Sequence, residues 1–105
     1  MQPRLAVPLR PNRRLRYVLT IGLVDARCPL DMGQLIRLAE HDGWTFAGRP
    51  SRKVSDLLRT EVTHGRVVRV GRGTYRRGVM PRSTEWWIRE VLAEDVRWWR
   101  RETAA

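Results

Sequence analysis

PSRKVSDLLRTEVTHGRVVRVGRGTYRR, residues 50–77, holds two hydrophobic periods in succession, and the change from one to the other decides the fold. Val54, Leu57, Leu58 and Val62 fall at i, i+3, i+4 and i+8, the spacing that turns one face of a helix toward a core. Pro50 or Ser51 opens this helix, and Gly65 ends it just after His64, which suits the negative end as a cation or cap. The opposite face carries Arg52, Lys53, Ser55, Asp56, Arg59, Thr60 and Thr63. From Arg66 to Arg77 the pattern becomes that of a two-stranded hairpin: Val67, Val68 and Val70 are β-formers, Gly71-Arg72-Gly73 supplies the turn, and Thr74-Tyr75 begins the return strand.

Toward the N-terminus, Trp44 to Pro50 reads as a loop, preceded by a helix that Asp31 caps and Gly43 closes, with Met32, Leu35, Ile36, Leu38 and Ala39 as its buried stripe. Cys28-Pro29-Leu30 is expected to be extended, because the residue before proline avoids the α region. Cys28 itself reads as a small buried hydrophobe, and a lone cysteine allows neither an internal disulfide nor a zinc finger. An earlier helix is expected from an Asn12 cap, with Leu15, Val18, Leu19, Gly22 and Leu23 on one face. Residues 1–12, with Pro3, Pro8 and Pro11, two arginines and no acid, read as a flexible basic arm.

Toward the C-terminus, Gly78 to Pro81 breaks the chain and Ser83 is expected to cap a last helix running to about Arg101. That helix holds Trp86, Trp87, Trp98 and Trp99, four of the five tryptophans. With Ile88, Val91 and Leu92 they make two neighbouring apolar stripes, interrupted by Asp95, too large to leave on an exposed tail. Such a helix either packs across its own domain or pairs with another copy. Pairing is the preferred expectation, with Trp87, Ile88, Val91, Leu92, Trp98 and Trp99 as the dimerisation face.

At 105 residues the chain has room for one domain and one core. Its 21 Lys+Arg against 11 Asp+Glu give a formal net charge of +10, a field that attracts polyanions. The excess lies ahead of the last helix: residues 83–105 carry four arginines and five acids, whereas Arg49 to Arg82 carries ten basic residues against Asp56 and Glu61. Lys53 is the only lysine, which a GC-rich genome explains better than selection for guanidinium chemistry does.

Three helices followed by a two-stranded hairpin, with an extended tripeptide between the first two helices, is the order of a winged helix-turn-helix. The expected organisation is therefore mainly α with a small β-hairpin. An arm occupies residues 1–12, a winged helix-turn-helix residues 13–79, and a tryptophan-rich helix residues 83–101. The segment Leu57 to Tyr75, LLRTEVTHGRVVRVGRGTY, resembles the helix-to-wing passage of bacterial winged-helix regulators of the actinobacterial or phage kind. It is more loosely similar to the N-terminal domain of AbiEi-type antitoxins. The likeness covers about a fifth of the chain at residue level, and this chain carries no second domain of the AbiEi kind. The resemblance implies double-stranded DNA binding and transcriptional control.

On that expectation the third helix enters the major groove and offers Arg49, Ser51, Arg52, Lys53, Ser55, Asp56 and Arg59, with Arg59 open to competition from Asp56 or Glu61. The hairpin offers Arg66, Arg69, Arg72, Arg76 and Arg77 to the backbone or minor groove, Arg72 at a glycine-flanked tip. Gly48-Arg49-Pro50 matches the core of an AT-hook, although Pro50 is equally a helix opener. For the arm arginines Arg4, Arg10, Arg13 and Arg14 a disordered solubilising tail is the preferred expectation, with contact to a groove as the alternative.

Enzymatic chemistry finds no support. His41 and His64 are too few for a metal cluster, no serine lies in a Gly-x-Ser-x-Gly elbow, and the glycines at 71, 73 and 78 miss the dinucleotide fingerprint because position 76 is arginine. No metal, cofactor or small-molecule ligand is expected. The start of the chain lacks the apolar stretch of a signal peptide, and Tyr17 to Val24 falls far short of the roughly 20 residues that span a bilayer. A cytoplasmic, nucleoid-associated location follows as an expectation. Two other readings stay open: an architectural factor that bends DNA, and a protein-interaction module acting through the tryptophan-rich helix.

Overall fold

The computed structural model describes residues 5–104, so Pro3 and Arg4 of the expected arm lie outside the described residues. The described residues form four helices and a small antiparallel sheet in the order α1 (Pro11–Ala26), β1 (Leu30–Asp31), α2 (Met32–His41), α3 (Pro50–Thr63), β2 (Val67–Gly71), β3 (Thr74–Arg77) and α4 (Arg82–Thr103). The sheet has three strands rather than the expected two, in the order β1-β3-β2. The extended stretch before Asp31 pairs with the hairpin, Leu30 opposite Tyr75 and Asp31 opposite Thr74. This added strand ties the start of α2 to the tip of the hairpin.

Helix ends explain why the elements sit where they do. Asp31 accepts from the Gln34 amide at 2.9 Å while the Gln34 side chain accepts from the Asp31 amide at 2.9 Å, a reciprocal cap that starts α2. α2 and α3 end alike. Gly43 and Gly65 take φ of 94° and 76°, a left-handed turn that costs glycine nothing. Trp44 donates back to the Ala39 carbonyl at 3.0 Å, and Arg66 to the Glu61 carbonyl at 3.0 Å. The first of these turns Trp44 under the core and the second aims the hairpin. Two expected caps are not used. α1 begins with Pro11 after Arg10, and α4 begins after Pro81, both without a side-chain cap, so neither Asn12 nor Ser83 fills the role. Pro11 supplies its own fixed φ and lacks the N–H that a cap would satisfy.

α1 is the central element because it is apolar on two sides. Leu15, Leu19 and Leu23 are fully buried against Leu35, Ala39, Val54, Leu58, Val67 and Tyr75, each leucine contributing about 2 kcal/mol by burial. Gly22 lets α2 approach, since a Cβ there would stand 2.6 Å from a Leu38 methyl. The other side of α1, through Tyr17 and Ile21, meets α4.

That second contact corrects the expected dimerisation face. Ile88 and Val91 are buried against Tyr17 of their own chain, with Leu92, Leu9 and Met80 packed around them. Trp87 and Trp99 are left about half exposed, and the Trp98 indole donates to the Ala6 carbonyl at 3.3 Å. The arm is corrected with it. Over its described part it lies on α4, where the Leu9 amide donates to Asp95 at 2.7 Å. Asp95, the residue that interrupts the apolar stripe, is fully buried and also accepts from Arg14 at 2.7 Å. Arg14 reaches Asp42 as well, at 2.9 and 3.0 Å, so it joins α1, the end of α2 and α4 rather than standing free for a groove.

Two smaller expectations also fail. Cys28 is exposed, because the turn between α1 and β1 runs along the surface. Val62 is exposed while Glu61 is buried: the inward face of α3 runs Val54, Leu58, Glu61 at i, i+4 and i+7.

Candidate nucleic-acid interface

Because α3 ends in a glycine turn that feeds straight into β2, the outer face of α3 and the hairpin border one groove. Met32, Arg49, Ser51, Arg52, Ser55, Arg69, Arg72 and Gly73 line a single open depression of ≈ 570 Å³. It continues toward the base of the hairpin through Ser55, Arg59, Val62, Arg69 and Tyr75. Its floor is therefore helix on one side and sheet on the other, with the first residue of α2 at the far end. Met32 was missed as a neighbour of the hairpin tip, yet the Asp31 cap that places it there was visible.

The ladder register sorts the hairpin arginines. Val67, Arg69, Tyr75 and Arg77 share one face of the sheet, since Val67 pairs with Arg77 and Arg69 with Tyr75. Val67 and Tyr75 are buried in the core, so this is the face toward α3. Arg69 looks into the groove. Arg76 pairs with Val68 on the other face, turned from α3, and it donates to the Arg77 carbonyl at 2.9 Å. Arg72 stands exposed at the tip next to Gly73, whose φ of 68° closes the turn. Arg77, half-buried, lies at the base.

Arg66 leaves the interface set altogether. Its guanidinium donates to both oxygens of Glu61, at 2.6 and 3.0 Å, and Arg16 reaches the same carboxylate at 3.1 Å. Glu61 has no exposed surface, so it is a buried charge neutralised by two arginines from α1 and the hairpin. Donation to Glu61 raises the Arg66 pKa above its ordinary value, against the opposing pull of burial, so this arginine is held charged and in place. Arg59 faces Asp56 at 3.5 Å across an exposed helix surface, a pairing worth little in water.

What remains is a sorted charge pattern. Among the described residues, Arg49, Arg52, Lys53, Arg69, Arg72, Arg76 and Arg77 have no carboxylate within 4.0 Å. By contrast Arg14, Arg16, Arg66, Arg89, Arg97 and Arg101 are spent on Asp25, Asp42, Glu61, Glu85, Glu94 and Asp95. Paired arginines stitch α1, α4 and the α3 end together; of the cations without a carboxylate among the described residues, the seven named first lie at the start of α3 and along the hairpin, while Arg10, Arg13, Arg27, Arg37, Arg82 and Arg100 lie elsewhere. Chemically the groove is a surface of guanidinium donors with an excess of positive charge. Among the described residues no group of three or more His, Cys, Asp or Glu is placed to hold a metal ion, and no helix is long and apolar enough to cross a membrane. Comparison of the chain with protein-family models, curated proteins and solved structures finds no match.

Proposed function

We propose that the chain is a winged helix-turn-helix protein that binds double-stranded DNA in a sequence-dependent way and regulates transcription. α3 enters the major groove, and the β2–β3 hairpin is the wing, lying on the adjacent backbone or minor groove. The observation that carries this reading is the shared groove: Arg49 at the N-cap of α3, Arg52 on α3, and Arg69 and Arg72 on the hairpin border one surface, and none of the four has a carboxylate within 4.0 Å among the described residues. The 14 residues of α3 make a rod about 21 Å long, with its exposed first turns leading, which suits a groove about 12 Å wide. The element order, with β1 between α1 and α2 and a sheet order of β1-β3-β2, supports the fold assignment.

Division of labour follows from position. Arg52 and Arg59 lie on the helix that faces base edges, whereas Arg72 lies at a tip that meets backbone or minor groove. Selection from a random duplex library, followed by fluorescence anisotropy, tests the proposal. A regulator prefers the selected duplex over bulk DNA by about a thousandfold or more. Arg52→Ala or Arg59→Ala relaxes preference at one or two bases, while Arg72→Ala weakens all sequences alike. Equal losses on every sequence for all three variants contradict the assignment, and near-equal wild-type binding to all sequences replaces a regulator with an architectural factor. Trp86, Trp87, Val96 and Trp99 leave exposed apolar surface on α4 for pairing two copies on a twofold site, which sedimentation velocity reads as mass.

A further inference from the structure

The loop between α2 and α3 encloses a second depression that the sequence reading did not foresee. Its volume is ≈ 300 Å³, at the small end for ligand pockets, room for one or two fused rings. Trp44 and Phe46 form its apolar corner, their ring centroids 6.2 Å apart at 60°. Both are partly buried against the main core, which keeps the corner in place without ligand. The wall opposite is the first two turns of α3, supplying Arg49, Arg52 and Lys53, with Asp56 the one carboxylate on the rim. Asp56 is drawn toward Arg59 at 3.5 Å, whereas the three cations have no carboxylate within 4.0 Å among the described residues. The Lys53 ammonium lies over the Trp44 ring, 5.6 Å from its centroid, a cation–π contact that holds positive charge beside the aromatic corner within the span of one benzoate-sized molecule.

We infer that this loop pocket binds a small planar aromatic anion of the aryl carboxylate class. The ring is held edge-on or offset against Trp44 and Phe46, and the carboxylate is held by Lys53 with Arg52 or Arg49. Neither half suffices alone: a neutral ring leaves the cations unanswered, and a simple anion leaves the aromatic corner wet. Because Arg49 and Arg52 also border the α3–hairpin groove, occupancy neutralises cations on the surface proposed above to meet DNA. The ligand site stands by itself. Its regulatory consequence, that bound aryl carboxylate competes with duplex DNA, rests on the DNA-binding reading.

Titration of the free, uniformly 15N-labelled chain with 2-naphthoate tests the site without any DNA present. The expected result is saturable movement of the Trp44 indole N–H and the Thr45 and Gly48 amides, with Kd below about 1 mM. 2-Naphthylmethanol, cyclohexanecarboxylate and inorganic phosphate should each bind at least about tenfold more weakly, since each lacks one half of the recognition. Lys53→Gln and Phe46→Leu should each weaken 2-naphthoate by about tenfold, while unchanged amide positions in α1 and α4 show that the fold is intact. Equal binding of the neutral alcohol or of phosphate, shifts spread over all five tryptophans, or no effect of either substitution overturns the site. In a second arm, 2-naphthoate is added to the protein on its selected duplex. Release of DNA in proportion to occupancy is expected, and a ternary complex overturns the competition while leaving the ligand site and the DNA-binding reading standing.

Discussion

Arg66 is bound to Glu61 twice, once through the main chain and once through the side chain. Its amide closes the end of α3 on the Glu61 carbonyl at 3.0 Å, and its guanidinium returns to the Glu61 carboxylate at 2.6 and 3.0 Å. A second pair of bonds completes the joint: Gly78 donates to the Arg66 carbonyl at 2.8 Å and Val79 to the Gly65 carbonyl at 3.0 Å. A Cβ at Gly78 would run into the Gly65 carbonyl, so glycine is required for the far strand to pass this close. The angle between α3 and the hairpin is thus set by a charged, buried hinge, and the groove they border inherits its shape from it.

Removing the carboxylate should therefore loosen both stability and the groove. Glu61→Ala leaves Arg16 and Arg66 facing each other without their shared anion, and the loss is expected to be about 3 kcal/mol, in the range for breaking a buried pair. Urea denaturation measures it. A midpoint unchanged within error would mean that the two arginines find other partners and the hinge is not electrostatic.

Asp95 is the corresponding anchor between the N-terminal segment, α1 and α4. With Asp95→Ala, the Leu9 amide loses its acceptor and Arg14 keeps only Asp42, so stability should fall by about 2 kcal/mol or more. Hydrogen exchange at the Leu9 amide should speed up by at least about tenfold, the rate ratio that about 1.4 kcal/mol of lost protection produces. Unaltered exchange would show that the Leu9 and Trp98 packing holds the segment without Asp95.

pH reports on the end of α4. Arg101 and Arg97 donate to the Glu94 carboxylate at 2.8 Å each and hold its pKa below the ordinary value of 4.5. A lowered carboxylate pKa favours the folded state above the unfolded value, and that contribution is lost as pH falls through the folded-state pKa. Wild-type stability should thus decline below about pH 4.5, and Glu94→Gln should flatten part of that decline while leaving it in place where other carboxylates titrate. Identical acid profiles for the two chains would remove Glu94 from the account.

These anchors also mark where sequence reading succeeds and where it stops. The apolar residues at helical spacing in α3, the Asp31 cap, the glycines at 43, 65 and 73, and the β-formers of the hairpin act locally, so their consequences are visible in the one-dimensional pattern. Glu61 and Asp95 act through partners 45 and 81 residues away, Arg16 and Arg14, and a carboxylate on a helix reads as solvated until its partner is placed. Glu61 did leave a trace: it falls at i+7 from Val54 and i+3 from Leu58, on the inward face. The choice between packing α4 on α1 and pairing it with a second copy depended on the second apolar side of α1, carried by Tyr17 and Ile21. Those two residues look like interruptions until α4 is laid against them. The candidate site follows the same rule. Arg52, Arg69 and Arg72 were legible as cations on α3 and the hairpin, while the removal of Arg66 to the hinge and of Arg76 to the far face required the ion pairs and the register.

Salt dependence of DNA binding is the most direct measurement of whether the α3–hairpin groove is the polyanion surface. Anisotropy of a labelled duplex, followed from about 50 to about 200 mM KCl, should show log K falling steeply with log salt, by about 0.9 for each phosphate neutralised. Two matched double variants separate the groove from net charge: Arg52→Ala with Arg72→Ala on the groove, and Arg37→Ala with Arg100→Ala on exposed surfaces of α2 and α4 that do not line it. Since Arg72 is assigned to the backbone and Arg52 to base edges, the groove pair should reduce the slope by about 0.9, the share of one phosphate, and the distant pair should leave it near the wild-type value. Equal slopes for the two double variants, or binding indifferent to salt, would contradict the account.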